Sequence, residues 1–377
     1  MFTRLSKSIL SIEEAQAVKN VLLRDGYLGM GEEVFQFEKD LGNYLGIKNI
    51  ACVNTGTSAL HISLQALGIG KGDEVLVPSL TFVATYQAIS ATGAIPISCD
   101  VEYGSGLLDL NFAEKMIGPK TKAILFVHYA SNFGNLEKLY ELAKKFNLKV
   151  VEDAAHSFGC KYGDDFIGSL GDVVCFSFDG IKNITSGEGG AIASKDETLI
   201  EKIKELRVLG IKRESDFKMD VSEQGFRYHM SNIMAAIGRV QLKRFEKEFK
   251  NKRISLFNNY KSALEKIEGI RPLSVLSNRP CLIIPHIMPV KILDNKRDEV
   301  RKALSRENIQ TGIHYFPNHL LSKYKGPELP VTERLYSELL SLPLHPEINN
   351  NDIEKITGII KKVTKKEKNE SSNPVWR

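Results

Sequence analysis

At 377 residues, 42% hydrophobic and 26% charged, the chain is long enough for a large core and reads as a two-domain soluble protein. No apolar run approaches a membrane span, Met1 opens a polar stretch without a signal-peptide core, and the five cysteines (Cys52, Cys99, Cys160, Cys175, Cys281) form no C-x-x-C pair. Reduced thiols in the cytoplasm are therefore expected, with no disulfide frame and no metal site. The net charge of +5 is concentrated at one end. From Lys361 onward stand six basic and two acidic residues with no aromatics between the lysines, which favours a solvated, frayed tail over a nucleic-acid site.

In chain order, Ser11 and Glu14 have capping-box spacing, and a helix is predicted over 13–24, ending near Gly26. A flexible turn over 26–31 precedes a second amphipathic helix with Val34, Phe37, Leu41 and Leu45 on one face. A strand follows over 50–53, and Asn54-Thr55-Gly56-Thr57-Ser58 turns it into a helix with Leu60, Leu64 and Leu67 aligned. The first turn of a helix leaves backbone N–H groups unpaired and partly positive, so this junction can hold a phosphate. The plainer alternative is that Thr and Ser only cap the helix. Gly68-Ile69-Gly70-Lys71-Gly72 is no dinucleotide loop, because it follows a helix and precedes a strand, the reverse of the required order.

Strands over 75–77, 95–99, 123–127 and 150–151 alternate with helices over 81–90 and 136–146. Short, nearly continuous apolar strands between helices predict a parallel or mixed sheet covered on both faces, which binds ligands at the carboxyl ends of its strands. Thr57, Phe82, Asp153 and His156 all fall just beyond such ends. Asp153 follows an apolar run and needs a compensating partner, either a structural cap or salt bridge or a protonated heterocyclic nitrogen. Lys182 follows the strand over 173–178 and precedes Thr185-Ser186-Gly187-Glu188-Gly189-Gly190, too rich in glycine for an ordinary surface loop. A lysine, a buried acid and a phosphate site together match the needs of pyridoxal 5'-phosphate, which requires a Schiff-base lysine, an acid on its ring nitrogen and an anchored phosphate.

The run EDAAHSFG…GSLGDVVCFSFDGIKNITSGEGGA resembles the signature of the DegT/DnrJ/EryC1/StrS family of nucleotide-sugar aminotransferases. The resemblance extends to an early G-x-L-x-x-G region, NTGTSALH, VPSLTFVAT, GFRYHMSNIMAAIGRVQL, HYFPNHL and SLPLHPEI, nearly the whole chain. It implies the α/β architecture of fold type I pyridoxal phosphate enzymes, a mainly parallel seven-stranded sheet between helices with a smaller α+β C-terminal domain. It also implies that Lys182 binds the cofactor covalently and carries the proton, and that Asp153 keeps the ring nitrogen protonated. His156 is expected near the phenolic oxygen, Phe82 on the ring face, and Gly56, Thr57, Ser58 and Ser177 on the phosphate. Arg227 stands where the family commonly has Asn reaching the neighbouring subunit's cofactor phosphate; its longer side chain serves either that phosphate or a substrate diphosphate. Tyr27, Glu188, His314, Tyr315 and His319 are expected near substrate, although the three late residues are equally at home as turn residues around Pro317.

The implied function is amination of a nucleotide-linked keto-deoxysugar with glutamate as donor, for surface polysaccharide or glycoside synthesis, by a cytoplasmic homodimer with shared active sites. Two alternatives are sugar dehydration or elimination on the same fold, and a silent sugar-nucleotide binder. Family members that dehydrate tend to carry histidine at the position of Lys182, so lysine favours transamination. In the second half, Ser231 caps a long helix with Ile233, Ile237 and Val240 on one face, continuing through Phe245 and Phe249. A strand over 282–290 follows, then a helix over 297–307 and another with Ile353, Ile356, Ile360 and Val363. Residues 1–245 read as the large cofactor-binding domain and 246–377 as the small one, with the basic tail from about 365.

Overall fold

The computed structural model describes residues 2–365 except 25, 216, 217 and 276, so nearly all of the basic tail lies outside the described residues. Two helices, α1 (Ile12–Arg24) and α2 (Glu32–Leu45), precede strand β1 (Ile50–Val53). Strand and helix then alternate through α3 (Gly56–Ala66), β2 (Glu74–Pro78), α4 (Val83–Ala91), β3 (Ile95–Cys99), α5 (Leu110–Lys115), β4 (Thr121–Val127), α6 (Leu136–Lys145) and β5 (Lys149–Asp153). A short hairpin, β6 (Lys161–Tyr162) and β7 (Asp165–Phe166), leads to β8 (Val173–Ser177), β9 (Gly190–Ala193) and α7 (Glu197–Leu206). A second hairpin, β10 (Ile211–Ser215) and β11 (Lys218–Val221), was not foreseen from the sequence.

Seven strands form one sheet in the order β1-β9-β8-β5-β4-β2-β3. All neighbours pair in parallel except β9, which runs antiparallel to both β1 and β8. Because successive strand residues face opposite ways, the sheet fills two separate cores. Val75, Val77, Leu125 and Val151 pack with Leu60, Tyr86 and Ile203 on one face. Leu76, Ile124, Phe126 and Phe176 pack with Phe37, Leu139 and Leu242 on the other. The parallel strands therefore end along one edge, and β9, reversed, begins there.

The chain leaves this layer through α8 (Asn232–Arg244), a π turn over Phe245–Phe249 and α9 (Lys250–Leu264). Ser231 caps α8 by accepting the Met234 N–H, as expected. Beyond lie β12 (Ile270–Pro272), β13 (Cys281–Leu282), β14 (Met288–Ile292), α10 (Arg297–Arg306), α11 (Pro330–Glu338), β15 (Leu339–Leu342) and α12 (Asn350–Thr364). β12, β14 and β15 make an antiparallel sheet whose core joins Leu256, Val290, Leu304 and Ile356. The strand expected over 282–290 is corrected. It is two strands in different sheets, β13 on β6 and β14 on β12 and β15, because Pro285 supplies no ladder N–H and the chain crosses between sheets there.

The N-terminal segment binds these parts together. Thr3 bridges to Ile309, the Leu344 N–H donates to Leu5 O, and Gln241 and Arg244 hold Ile9 O. The Ser8 hydroxyl donates to Gly180 O, two residues before Lys182. Glu14, in the first turn of α1, accepts the Ser11 N–H and pairs, buried, with Arg244 at 2.7 Å, so it anchors the start of α1 to α8.

Candidate functional site

A cavity of about 630 Å³ opens at the sheet edge where the parallel strands end. Each strand delivers its part: β1 the Thr55–Gly56–Thr57 turn, β2 the Thr81–Phe82 turn, β5 Asp153 and His156, and β8 Ser177 and Lys182. β9 starts at the same edge, so Glu188, just before it, also lines the cavity. His314 and Tyr315 close it from the late loop.

Asp153 is the last residue of β5, where its carboxylate is only 8% exposed. Its Oδ2 accepts the Thr85 hydroxyl at 2.9 Å and its Oδ1 the Ala155 N–H at 3.2 Å. Burial still pushes its carboxyl above the usual range, against the Ala155 and Thr85 hydrogen bonds and the charges of Lys182 and His128. Two hydrogen bonds do not compensate a buried carboxylate, so the site asks for a cation in the cavity. Burial in turn pulls the Lys182 amine below the ordinary lysine value, with Asp153 and Asp179 opposing. Such a lysine is more nucleophilic at neutral pH than a solvated one.

α3 begins at the cavity. Thr55 accepts the Ser58 N–H in a reciprocal capping box, while the first-turn N–H groups of Gly56 and Thr57 have no acceptor four residues back. A Cβ on Gly56 would stand 2.8 Å from Ser177 Cβ, so only glycine lets the helix start approach that serine. The result is a cradle of open donors with a hydroxyl beside it. An anion bound there needs no reorganisation of the protein.

Ten of the residues named from the sequence meet at this cavity: Gly56, Thr57, Phe82, Asp153, His156, Ser177, Lys182, Glu188, His314 and Tyr315. Four do not line it. The Ser58 hydroxyl is spent inside the cap, donating to Asn54 Oδ1 at 2.6 Å. His319 is buried between Ser79 Oγ at 2.7 Å and Glu333 at 3.1 Å, which makes it a pin under the Phe82 turn rather than a cavity residue. Tyr27 is 58% exposed, its carbonyl held by Asn232. Arg227 is exposed beyond the β1 turn, its carbonyl facing Asn54. Sequence reasoning missed Thr85, Asp179 and Ile181, which line the cavity, and His286, which packs against His156 with ring centroids 4.6 Å apart. Thr85 carried a usable signal, three residues past Phe82 on the same short helix. His286 carried none, because only the crossing between two sheets brings it here.

Histidine adds little charge to the cavity. Burial and the nearby Lys182 pull His314 down to about 4, and burial holds His156 well below its ordinary value. The charged lining is thus Lys182 against Asp153, Asp179 and Glu188. The donor set, a single amine, a buried acid and an open helix start, fits pyridoxal phosphate.

Residues 9–361 match the model of the DegT/DnrJ/EryC1/StrS aminotransferase family. The chain is 32% identical to the UDP-4-amino-4-deoxy-L-arabinose–oxoglutarate aminotransferase of Shewanella sediminis, with 96% of this chain and 98% of that protein covered. It is equally 32% identical to the spore coat polysaccharide biosynthesis protein SpsC of Bacillus subtilis, over 97% of each. Among solved structures, the aminotransferase TlmJ of Streptoalloteichus hindustanus superposes with a TM-score of 0.91 at 31% identity, covering 96% of this chain and 99% of that one. The PLP form of the Streptococcus pneumoniae sugar aminotransferase Spr1654 does so at 0.90 and 26% identity, covering 97% and 99%. The chain belongs to the DegT/DnrJ/EryC1/StrS aminotransferase family and is a pyridoxal phosphate-dependent aminotransferase of the α/β fold those structures share.

Proposed function

We propose that this family member transfers an amino group from glutamate to the keto carbon of a nucleotide-linked deoxysugar, supplying polysaccharide or glycoside synthesis in the cytoplasm. The observation that carries the reading is the convergence of Lys182, Asp153 and the open start of α3 on one cavity. In this reading Lys182 and Asp153 are the catalytic residues, and residues 1–245 hold the cofactor while 246–377 form the smaller unit. Bound pyridoxal phosphate supplies an electron sink conjugated to the substrate nitrogen.

The residues divide the work. Lys182 Nζ, neutral more readily than a free lysine because it is buried, would carry the proton from the donor carbon to the cofactor in the first half-reaction and from the cofactor to the acceptor carbon in the second. Asp153, fixed by Thr85 and Ala155, would keep the cofactor's ring nitrogen protonated. Gly56, Thr57 and Ser177 would hold the phosphate, and Phe82, at the cavity lining, would cover the ring. Glu188 and His314 face the sugar.

The charge balance supports a homodimer with shared sites. A cofactor phosphate and a nucleotide diphosphate bring several negative charges to a cavity whose own charged residues are three acids and one lysine. Cations from a second copy supply the difference, and exposed Arg227 is the residue we assign to that task. The deciding experiment incubates purified enzyme with glutamate and a panel of nucleotide ketosugars, reading 2-oxoglutarate release and product mass. Release of 2-oxoglutarate with an aminated sugar establishes the reading. A dehydrated sugar with no nitrogen gained overturns it.

A further inference from the structure

The cavity wall formed by His156 and Tyr315 is held by a turn that plays no part in the reading above, Tyr129–Ser131. Ala130 and Ser131 both have left-handed backbones, with φ of 54° and 65°. Neither is glycine, and consecutive residues in that region are costly and persist only where the surroundings impose them. This turn makes three contacts with the site. The Ala130 N–H donates to His156 Nδ1 at 3.2 Å, the Ser131 hydroxyl donates to His156 O, and the Tyr129 hydroxyl donates to His314 O.

The first contact fixes a proton. A ring nitrogen that accepts a backbone N–H carries no hydrogen, so His156 is neutral with its proton on Nε2. Nε2 lies 3.0 Å from Tyr315 Oη and must donate to it. The phenol oxygen is then an acceptor towards His156, and its own hydrogen is directed elsewhere. Among the described residues it has no acceptor, and Tyr315 lines the cavity. The groups facing His156 act in the same sense. Lys182, His314 and His128 all disfavour a positive imidazole, and His286 packs against the ring.

We infer that the Tyr129–Ser131 turn and His156 are positioning residues that make Tyr315 a hydrogen-bond donor into the cavity, aimed at an anionic or carbonyl oxygen of the bound cofactor or sugar. The chain Ala130 N–H to His156 to Tyr315 runs in one direction only. A glutamine side chain at 156 can repeat it, its carbonyl accepting and its amide donating, whereas an apolar residue cannot. The inference rests on the cavity being the amino-transfer site.

Its first test does not depend on turnover. In full-length protein labelled with ¹⁵N-histidine, two-bond proton–nitrogen correlations at neutral pH should show His156, identified by its loss in His156→Gln, as the neutral Nε2–H tautomer. An Nδ1–H tautomer or an imidazolium overturns the inference. The second test is Tyr315→Phe. With the unfolding midpoint retained, we expect at least a tenfold loss in pyridoxal phosphate affinity or in kcat/KM, and His156 keeping its tautomer. Wild-type values for both affinity and kcat/KM sink the donor role. His156→Gln should keep at least tenfold more activity than His156→Leu, and equal losses in the two also count against it. Absence of amino transfer by wild-type protein overturns the functional reading and leaves the tautomer measurement standing.

Discussion

The Thr85 hydroxyl reaches Asp153 Oδ2 at 2.9 Å from α4, the helix that follows a strand two places away from β5 in the sheet. The same hydroxyl lies 3.0 Å from Thr81 Oγ1, so the acid at the back of the site is oriented by the turn that presents Phe82 at its front. Asp153 and the turn that carries Phe82 are thus parts of one hydrogen-bonded unit.

Thr85→Val should therefore act on chemistry as much as on stability. The hydrogen bond lowers the Asp153 pKa, so its loss lets burial raise that value further. A carboxyl with a higher pKa stays protonated to higher pH, and the acid limb of kcat/KM moves upward. We expect a stability loss of about 2 kcal/mol, the usual size of a hydrogen bond to a charged group. An acid limb that stays in place would show that Thr85 does not tune the acid.

Lys182→Met should abolish amino transfer and the borohydride-stable attachment of cofactor, which peptide mass spectrometry follows on Lys182. Folding of the cofactor-free protein should survive. The folded pKa of Lys182 lies below its unfolded value, so the folded state binds fewer protons there, and this site's contribution to stability improves as pH rises between the two. Methionine removes that dependence. Cofactor-free wild type should therefore lose more stability than Lys182→Met as pH falls from the unfolded lysine value, measured by denaturant melts.

Gly56→Ala tests the phosphate cradle. The added Cβ stands 2.8 Å from Ser177 Cβ and 3.1 Å from its hydroxyl, so either the serine or the helix start must move. We expect pyridoxal phosphate to bind at least tenfold more weakly while pyridoxal, without the phosphate, loses much less, as read by cofactor fluorescence. Equal losses for both would place the damage elsewhere.

His319→Ala separates a pin from a substrate ligand. It leaves the Ser79 hydroxyl buried without its imidazole partner and frees Glu333. We expect a stability loss of about 1–3 kcal/mol, because Ser79 Oγ keeps the N–H of residue 319 but loses its imidazole partner. The ranking of sugar nucleotides should not change; a changed ranking would return His319 to the substrate.

Much of this protein is written in local pattern. Apolar runs four to seven residues long made the buried strands, glycines and small hydroxyls marked the turns after β1 and before β9, and Lys182, Asp153 and the helix start at Gly56 together matched the needs of the cofactor. Those signals are local because a strand, a cap or a tight turn is decided by the residues within it. Ser58 and His319 lie off the cavity, and the strand over 282–290 is broken in two, for the same reason. A hydroxyl beside a helix start serves cap or ligand alike, and nothing near His319 in sequence reveals that Ser79 and Glu333 will enclose it. The partners that set the chemistry, Thr85 on Asp153, the Tyr129–Ser131 turn on His156, and Ser8 on the Lys182 loop, come from elements far apart in the chain. Sheet order makes them neighbours, and burial is the largest cause of the pKa shifts of Asp153, Lys182 and His156. The sequence determined which groups the enzyme owns, and the tertiary structure decided which of them face each other without water between.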